Sequence, residues 1–361
     1  MERATRKAVW LFSRNVDLAV FLGSAVFSFA ALGLGALAGV LHEETPGWAW
    51  IPAVILCDVA HVWSTVFRTY LDPAERRARP RLLTIVPMVG LAASIGLLAL
   101  GELTFWRTLA YLAIFHFVRQ QYGWVSLYRA RAGETTRAGR VVDTAAIYAA
   151  TLWPLLHWHT HLPRRFSWFV AGDVVALPSF VMPLATLLYV AALSAYALRS
   201  AVMWRRGTAN PGKDVVVVTT AVAWYVGIVA FDSDYAFTVT NVFMHGIPYF
   251  ALVLVHARAR HKAVPPPSTV AGRLTRHVLV YLAFLWLIAF AEELVWDRAV
   301  WHEHGWLFGE PWSVGGWKLL IVPLLALPQL THYVLDGFIW RRRSNPTVAG
   351  LVSPTAEPLA S

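Results

Sequence analysis

Long apolar runs recur from one end of the chain to the other, parted by short polar gaps. Ten of them are long enough to cross a bilayer as helices, at about 17–41, 48–71, 82–100, 104–128, 141–157, 179–203, 215–231, 235–256, 277–295 and 315–340. The pattern predicts an all-α protein, a polytopic transmembrane helix bundle of about ten spans. Residues 1–343 read as one membrane domain. The Pro/Ser/Ala-rich tail at 344–361 is expected to be disordered, and "KAVPPPSTVAG" reads as a cytoplasmic linker.

The gaps set the orientation. Those at 1–16, 72–81, 129–140, 199–214, 257–276 and 341–343 are rich in Arg and Lys, whereas "HEETPG", "GEL" and "FDSD" hold neither. This alternation predicts that both termini are cytoplasmic, with only "HTHLPRRFSW" against it. Trp48, Trp50, Trp158, Trp168, Trp296, Trp301, Trp306, Trp312 and Trp317 crowd the outer connections, as in an interfacial aromatic belt. The first run is longer than a signal-peptide core and is expected to be retained.

Composition agrees. Charged residues make up 14% of the chain, against about a quarter in a soluble protein. The net charge of +10 comes mainly from the basic gaps, so it signals topology, not nucleic acid. The one cysteine, Cys57, rules out an intramolecular disulfide framework.

Polar residues inside the spans carry the candidate chemistry. Of 13 histidines, four fall within membrane helices: His61, His116, His245 and His332. They sit on the second, fourth, eighth and tenth spans, about 10, 12, 11 and 8 residues from the cytoplasmic ends. At about 1.5 Å per residue all four lie roughly 12–18 Å from the inner surface. Four unrelated packing histidines have no reason to share a depth, so they are read as ligands of one metal ion. Each has a polar neighbour three or four residues away: Asp58 for His61, Gln120 (with Gln121) for His116, Asn241 for His245 and Asp336 for His332. These are expected to orient the imidazoles by taking their second ring proton, although either aspartate can also be read as a direct ligand. Arg119 is expected to snorkel inward or to pair with Asp58 or Asp336. Arg68 and Asp72 of "RTYLD" read as an interfacial pair. The "HWHTH" and "HEH" segments read as solvated interface.

Several chemistries are excluded by pattern. HxxxH occurs only at His157–His161, in the outer "HWHTH" connection, and there is no HxxHH, GxSxG, Walker, GxGxxG or CxxCH motif. No glutamate is expected at mid-membrane and no ExxH pair occurs, which argues against a di-iron carboxylate bundle. Four imidazoles with nearby carboxylates suit iron, zinc or copper and not magnesium or calcium.

Four short motifs, "DVAHVWSTVF", "IFHFVRQQYGW", "VFMHGIPYF" and "THYVLDGFIWR", together resemble the Brp/Blh family in matching order. That family comprises bacterial integral-membrane enzymes that cleave β-carotene to retinal with iron and dioxygen. The likeness covers about 40 of 361 residues. It departs from the family pattern at Thr65 and Gln121, where the family has acidic residues, and at Tyr249, where it has a second histidine. The resemblance implies an iron oxygenase of a bacterial inner membrane, acting on a lipid-soluble carotenoid or other isoprenoid. Membrane lipid and that substrate are the expected partners, and Tyr249 and Arg119 are the catalytic candidates beside the metal. Two alternatives stay open: a haem-binding electron-transfer protein, and an ion- or proton-coupled transporter with a mid-membrane polar site, whose one marked helix break is "HGIP".

Overall fold

The computed structural model describes residues 10–262 and 269–352. Among them are ten long helices and no strand. They are α1 (Arg14–Leu37), α2 (Gly47–Phe67), α3 (Pro80–Leu100), α4 (Glu102–Arg131), α5 (Arg137–Thr160), α6 (Ser179–Arg205), α7 (Pro211–Ala230), α8 (Asp234–Lys262), α9 (Val278–Trp301) and α10 (Gly315–Ile339). Eight are long and apolar enough to cross a membrane. The chain is thus built as an integral membrane protein. The other two, α4 and α5, are long enough but more polar. Arg107 and Arg119 lie along α4, and Arg137, Arg140 and Asp143 open α5.

Surface composition supports this reading. Phe180, Leu184, Leu187, Leu188 and Leu198 of α6 are exposed, a surface that suits lipid and not water. At the other extreme α8 is the most enclosed of the eight apolar helices. It packs on α1 and α2, while α10 packs on α3, α4 and α2. In lipid, helices associate through close packing, and small residues permit it. Gly246 of α8 shows the effect: a Cβ there would stand 2.6 Å from the Cys57 sulfur of α2. That close approach brings the neighbouring His245 to His61.

Three sequence expectations change. The "HGIP" segment does not break its helix; α8 runs through Pro248 without interruption. The tail begins with a short helix, Pro346–Leu351, capped by the Asn345 side chain, with Val348 and Val352 buried. Residues 353–361 and 263–268, the latter most of the expected linker, lie outside the described residues. Arg68 and Asp72 do not pair with each other. Arg68 binds Glu75 at 2.6 Å and the Ile339 carbonyl at 3.0 Å. Asp72 instead caps the Pro73–Ala78 helix.

One end of the bundle, expected in the cytoplasm, is knitted by buried charge. Asp143 takes Arg129, Arg199 and Lys213, and Glu134, in the α4–α5 connection, takes the same three. Burial raises the Glu134 carboxyl, but Lys213 above all, with Asn210 and Arg199, brings it down to about 2. A depressed carboxylate stabilises the fold above its unfolded value near 4.5, and that contribution is lost as pH falls through the folded value. The melting temperature in detergent should therefore drop as pH falls from about 4.5 towards 2. Glu134→Gln should be less stable at pH 7 and should show a shallower acid dependence. Parallel acid profiles for the two proteins would refute this role.

Candidate metal centre

Four helices each deliver one histidine to the same place: α2 gives His61, α4 His116, α8 His245 and α10 His332. All four are buried, at 1%, 4%, 0% and 1% exposure. One ligand atom from each lies within 4.8 Å of all the others, the one such histidine, cysteine or carboxylate group among the described residues. Nε2 of His61 and Nε2 of His245 are 3.0 Å apart. Ring centroids are 4.4 Å apart for His116 and His332 and 5.0 Å for His116 and His245. Around an ion bonded at about 2.0–2.1 Å, nitrogens stand about 3.3 Å apart in a tetrahedron and up to about 4.2 Å apart across the metal. Side-chain adjustments on the order of 1 Å therefore gather the four around one ion.

Two of the donor atoms have no partner, and the other two face each other. Nε2 of His116 and Nε2 of His332 are buried without a hydrogen-bond partner. An orphaned buried polar atom is costly, and here the orphans point into one cluster. Four imidazoles with no carboxylate in the cluster suit iron, zinc or copper. Packing fixes the rings. Phe117 stacks on His245 at 3.6 Å and 6° between planes, and Tyr333 lies 5.0 Å from His116.

His332 is held by a relay from two other helices. Its Nδ1 is 2.7 Å from Thr65 Oγ1, which is 3.0 Å from the Tyr249 hydroxyl, which donates to Asp336 Oδ1 at 2.6 Å. If Nε2 serves the metal, Nδ1 carries the proton. Every donor in the series then points one way: His332 to Thr65, Thr65 to Tyr249, Tyr249 to Asp336. Asp336 itself stays 3.8 Å from His332 Nδ1, so it acts through Tyr249 and Thr65 and not directly as expected. The Tyr249 hydroxyl is engaged in this relay. Thr65 was missed as a functional residue because its partner lies 267 positions away in the chain.

The remaining expected neighbours divide. Asp58 stands 3.6 Å from Nδ1 of His61, in place to support it. Gln120 donates to the backbone carbonyl of His245 at 3.2 Å and so positions that helix, not the His116 ring. Gln121 accepts from Thr220 on α7. Asn241 donates to Phe237 on its own helix. Arg119 is exposed, donates to the Tyr148 hydroxyl of α5 and lies over the Tyr122 ring, so it pairs with neither aspartate. In "HWHTH", His159 is satisfied by Leu155 O and Tyr111, and in "HEH", His304 stacks on Trp50. Neither segment forms a ligand cluster among the described residues.

One expectation about carboxylates is overturned. Glu292 of α9 accepts from the indole N–H of Trp63, two residues beyond His61, and Glu293 beside it is buried too. Both were set aside because the span was read as ending near 295, whereas the helix continues to Trp301 through a wide π-helical turn.

A cavity of about 240 Å³ between α2, α3 and α10 includes Thr65, Thr331 and His332 in its wall. Its other walls are largely apolar, with Val66, Pro87 and Leu327, and Leu324 at its edge is exposed at the bundle surface. No protein-family model, curated protein or solved structure matches this chain.

Proposed function

We infer that this chain is a membrane metalloenzyme of the oxygenase class, related in design to the carotenoid-cleaving family that its motifs resemble. His61, His116, His245 and His332 would hold one iron ion, which when bound supplies redox chemistry with dioxygen. The observation that carries this reading is the convergence of four buried imidazoles, two of them with ring nitrogens that no protein group satisfies. Thr65, Tyr249 and Asp336 orient His332, Asp58 supports His61, and Phe117 fixes the His245 ring. The apolar cavity beside His332 would take part of an isoprenoid chain, the rest lying in the bilayer. The setting would be a bacterial inner membrane with both termini in the cytoplasm.

The alternatives fare less well. A porphyrin cannot be inserted among four imidazoles this close together, which disfavours axial haem ligation. A transporter with a mid-membrane polar site loses its one marked helix break, because α8 is unbroken through Pro248.

The test is direct. Protein reconstituted anaerobically with ferrous iron, given a carotenoid in micelles and then oxygen, should yield apocarotenoid aldehydes by chromatography. Failure across a panel of carotenoids and shorter isoprenoids, with iron bound, would refute the oxygenase reading. Leu327→Trp, which fills the cavity wall, should cut turnover about 10-fold or more while iron content stays unchanged. Equal turnover would show that substrate does not use this cavity.

A further inference from the structure

The cavity between α2, α3 and α10 carries a polar group that the centre does not use. Four hydroxyl residues stand in its wall: Thr65, Thr69, Tyr70 and Thr331. Three are committed within the protein. Thr65 serves His332 and Tyr249. Thr69 donates at 2.8 Å to the carbonyl of Thr65, one turn back. Tyr70 donates at 2.9 Å to the Leu83 carbonyl, which Pro87 leaves without its helical N–H. The indole N–H of Trp63, in the same wall, goes to Glu292. Of these hydroxyls, Thr331 alone has no hydrogen-bond partner among the described residues, on a residue only 8% exposed.

The orphan calls for a partner. A threonine within a helix commonly bonds a carbonyl one turn back, as Thr69 does and Thr331 does not. An unsatisfied hydroxyl in an apolar interior is costly. Water is a poor remedy, because a buried water needs about 2–4 polar partners and the side chains of this wall leave one hydroxyl uncommitted. A ligand that fills the cavity with hydrocarbon and brings a single oxygen to Thr331 meets the need. Helix α10 sets its direction. Leu324, exposed at the bundle surface, lies two turns before Thr331 on the same face, about 10 Å along the axis. Thr331 directly precedes His332. The hydrocarbon then leaves towards lipid past Leu324, and the oxygen sits at the inner end, beside the helix residue that serves the centre.

We propose that the cavity selects isoprenoids that carry a hydroxyl or carbonyl oxygen, and that Thr331 is the residue that recognises this oxygen. This rests on the reading of the cavity as the substrate site and narrows it: the preferred chain is oxygenated, not a pure hydrocarbon. A threonine hydroxyl suits both oxygen types, since it donates to a carbonyl and can donate to or accept from another hydroxyl.

The test is ligand binding to chelator-treated protein, which needs neither iron nor turnover. The probes are farnesol and the hydrocarbon farnesene, which share a carbon skeleton and differ by a terminal hydroxyl. Each is titrated into protein in detergent micelles, and bound ligand is counted by native mass spectrometry. Thr331→Val keeps the shape of the side chain and breaks no hydrogen bond. It should lower the ratio of farnesol to farnesene affinity about 3- to 10-fold, through weaker farnesol binding. Thr331→Ser, which keeps the hydroxyl, should hold the wild-type ratio. Partition of the ligands into micelles is common to all three proteins and cancels in the comparison. Leu327→Trp, which fills the cavity wall, should weaken binding of both ligands. An unchanged ratio in Thr331→Val would overturn the role of Thr331, as would the same loss in Thr331→Ser. Farnesol binding that Leu327→Trp leaves unaltered would place the ligand elsewhere and overturn it too. Failure of the wild-type protein to bind either probe would instead overturn the cavity as the substrate site.

Discussion

His332→Ala is expected to reduce bound transition metal from one ion per chain to less than about a tenth of that. The side chain is buried at 1% exposure, and its Nε2 has no partner other than what the cluster binds. Removing a supporting partner of a metal ligand weakens binding about 10- to 100-fold, and removing the ligand itself should exceed that range. Alanine also opens space beside the apolar cavity, so a folding defect must be separated from lost ligation. Exogenous imidazole does this. Added at millimolar concentration to monodisperse variant, it should restore metal content, because the hole has the shape of the missing ring. Full metal content in His332→Ala without imidazole would remove this residue from the ligand set.

Thr65→Val should have the second largest effect, a loss of about 10- to 100-fold in metal affinity with the same final stoichiometry at saturating metal. Valine keeps the shape and removes the hydroxyl, which strands the Nδ1 proton of His332 in an apolar interior. An unsatisfied buried donor costs about 1–3 kcal/mol, which spans that range. Tyr249→Phe interrupts the same relay one step further out. Asp336→Asn should cost least, because the amide oxygen can still accept from the Tyr249 hydroxyl. The order Thr65→Val, Tyr249→Phe, Asp336→Asn is what distinguishes a relay from direct contact. If Asp336→Asn weakened binding most and Thr65→Val left it unchanged, Asp336 would be acting on His332 directly.

This order could not have been read from spacing. Three- and four-residue spacing says which side chains share a helix face, and it paired His61 with Asp58 and His332 with Asp336. It says nothing of what a neighbouring helix contributes. Thr65 reaches His332 only because α2 packs on α10, and Gln121 turns to Thr220 because α7 lies on that side of α4. Depth along a helix is a different matter. Membrane helices are constrained to roughly one length and one direction, so counting residues from a basic gap locates a side chain to within about a turn. That is why four histidines up to 271 positions apart could be placed in one layer before any coordinates.

The same ruler failed for Glu292 and Glu293. It assumed that α9 ends where its apolar run ends, but the helix goes on through Asp297–Trp301 with a π-helical turn, carrying both carboxylates a turn or more inside. The tryptophans that read as an interfacial belt gave the missed signal. Trp296 donates to Glu292 and lies 5.7 Å from Trp301, so part of that belt faces inward. Arg119 shows the opposite error. Three residues from His116 on a helix is close in sequence, yet its side chain leaves the bundle core for Tyr148 and Tyr122.

The most direct measurement is elemental analysis of protein purified in detergent without added chelator, with an optical spectrum of the same sample. The account predicts one first-row transition metal, iron in the proposed enzyme, per chain, with no Soret band. It also predicts loss of that metal in a variant lacking His61, His116, His245 and His332. Wild-type protein that remains metal-free after exposure to ferrous iron, or a quadruple variant that retains the wild-type metal content, would contradict it.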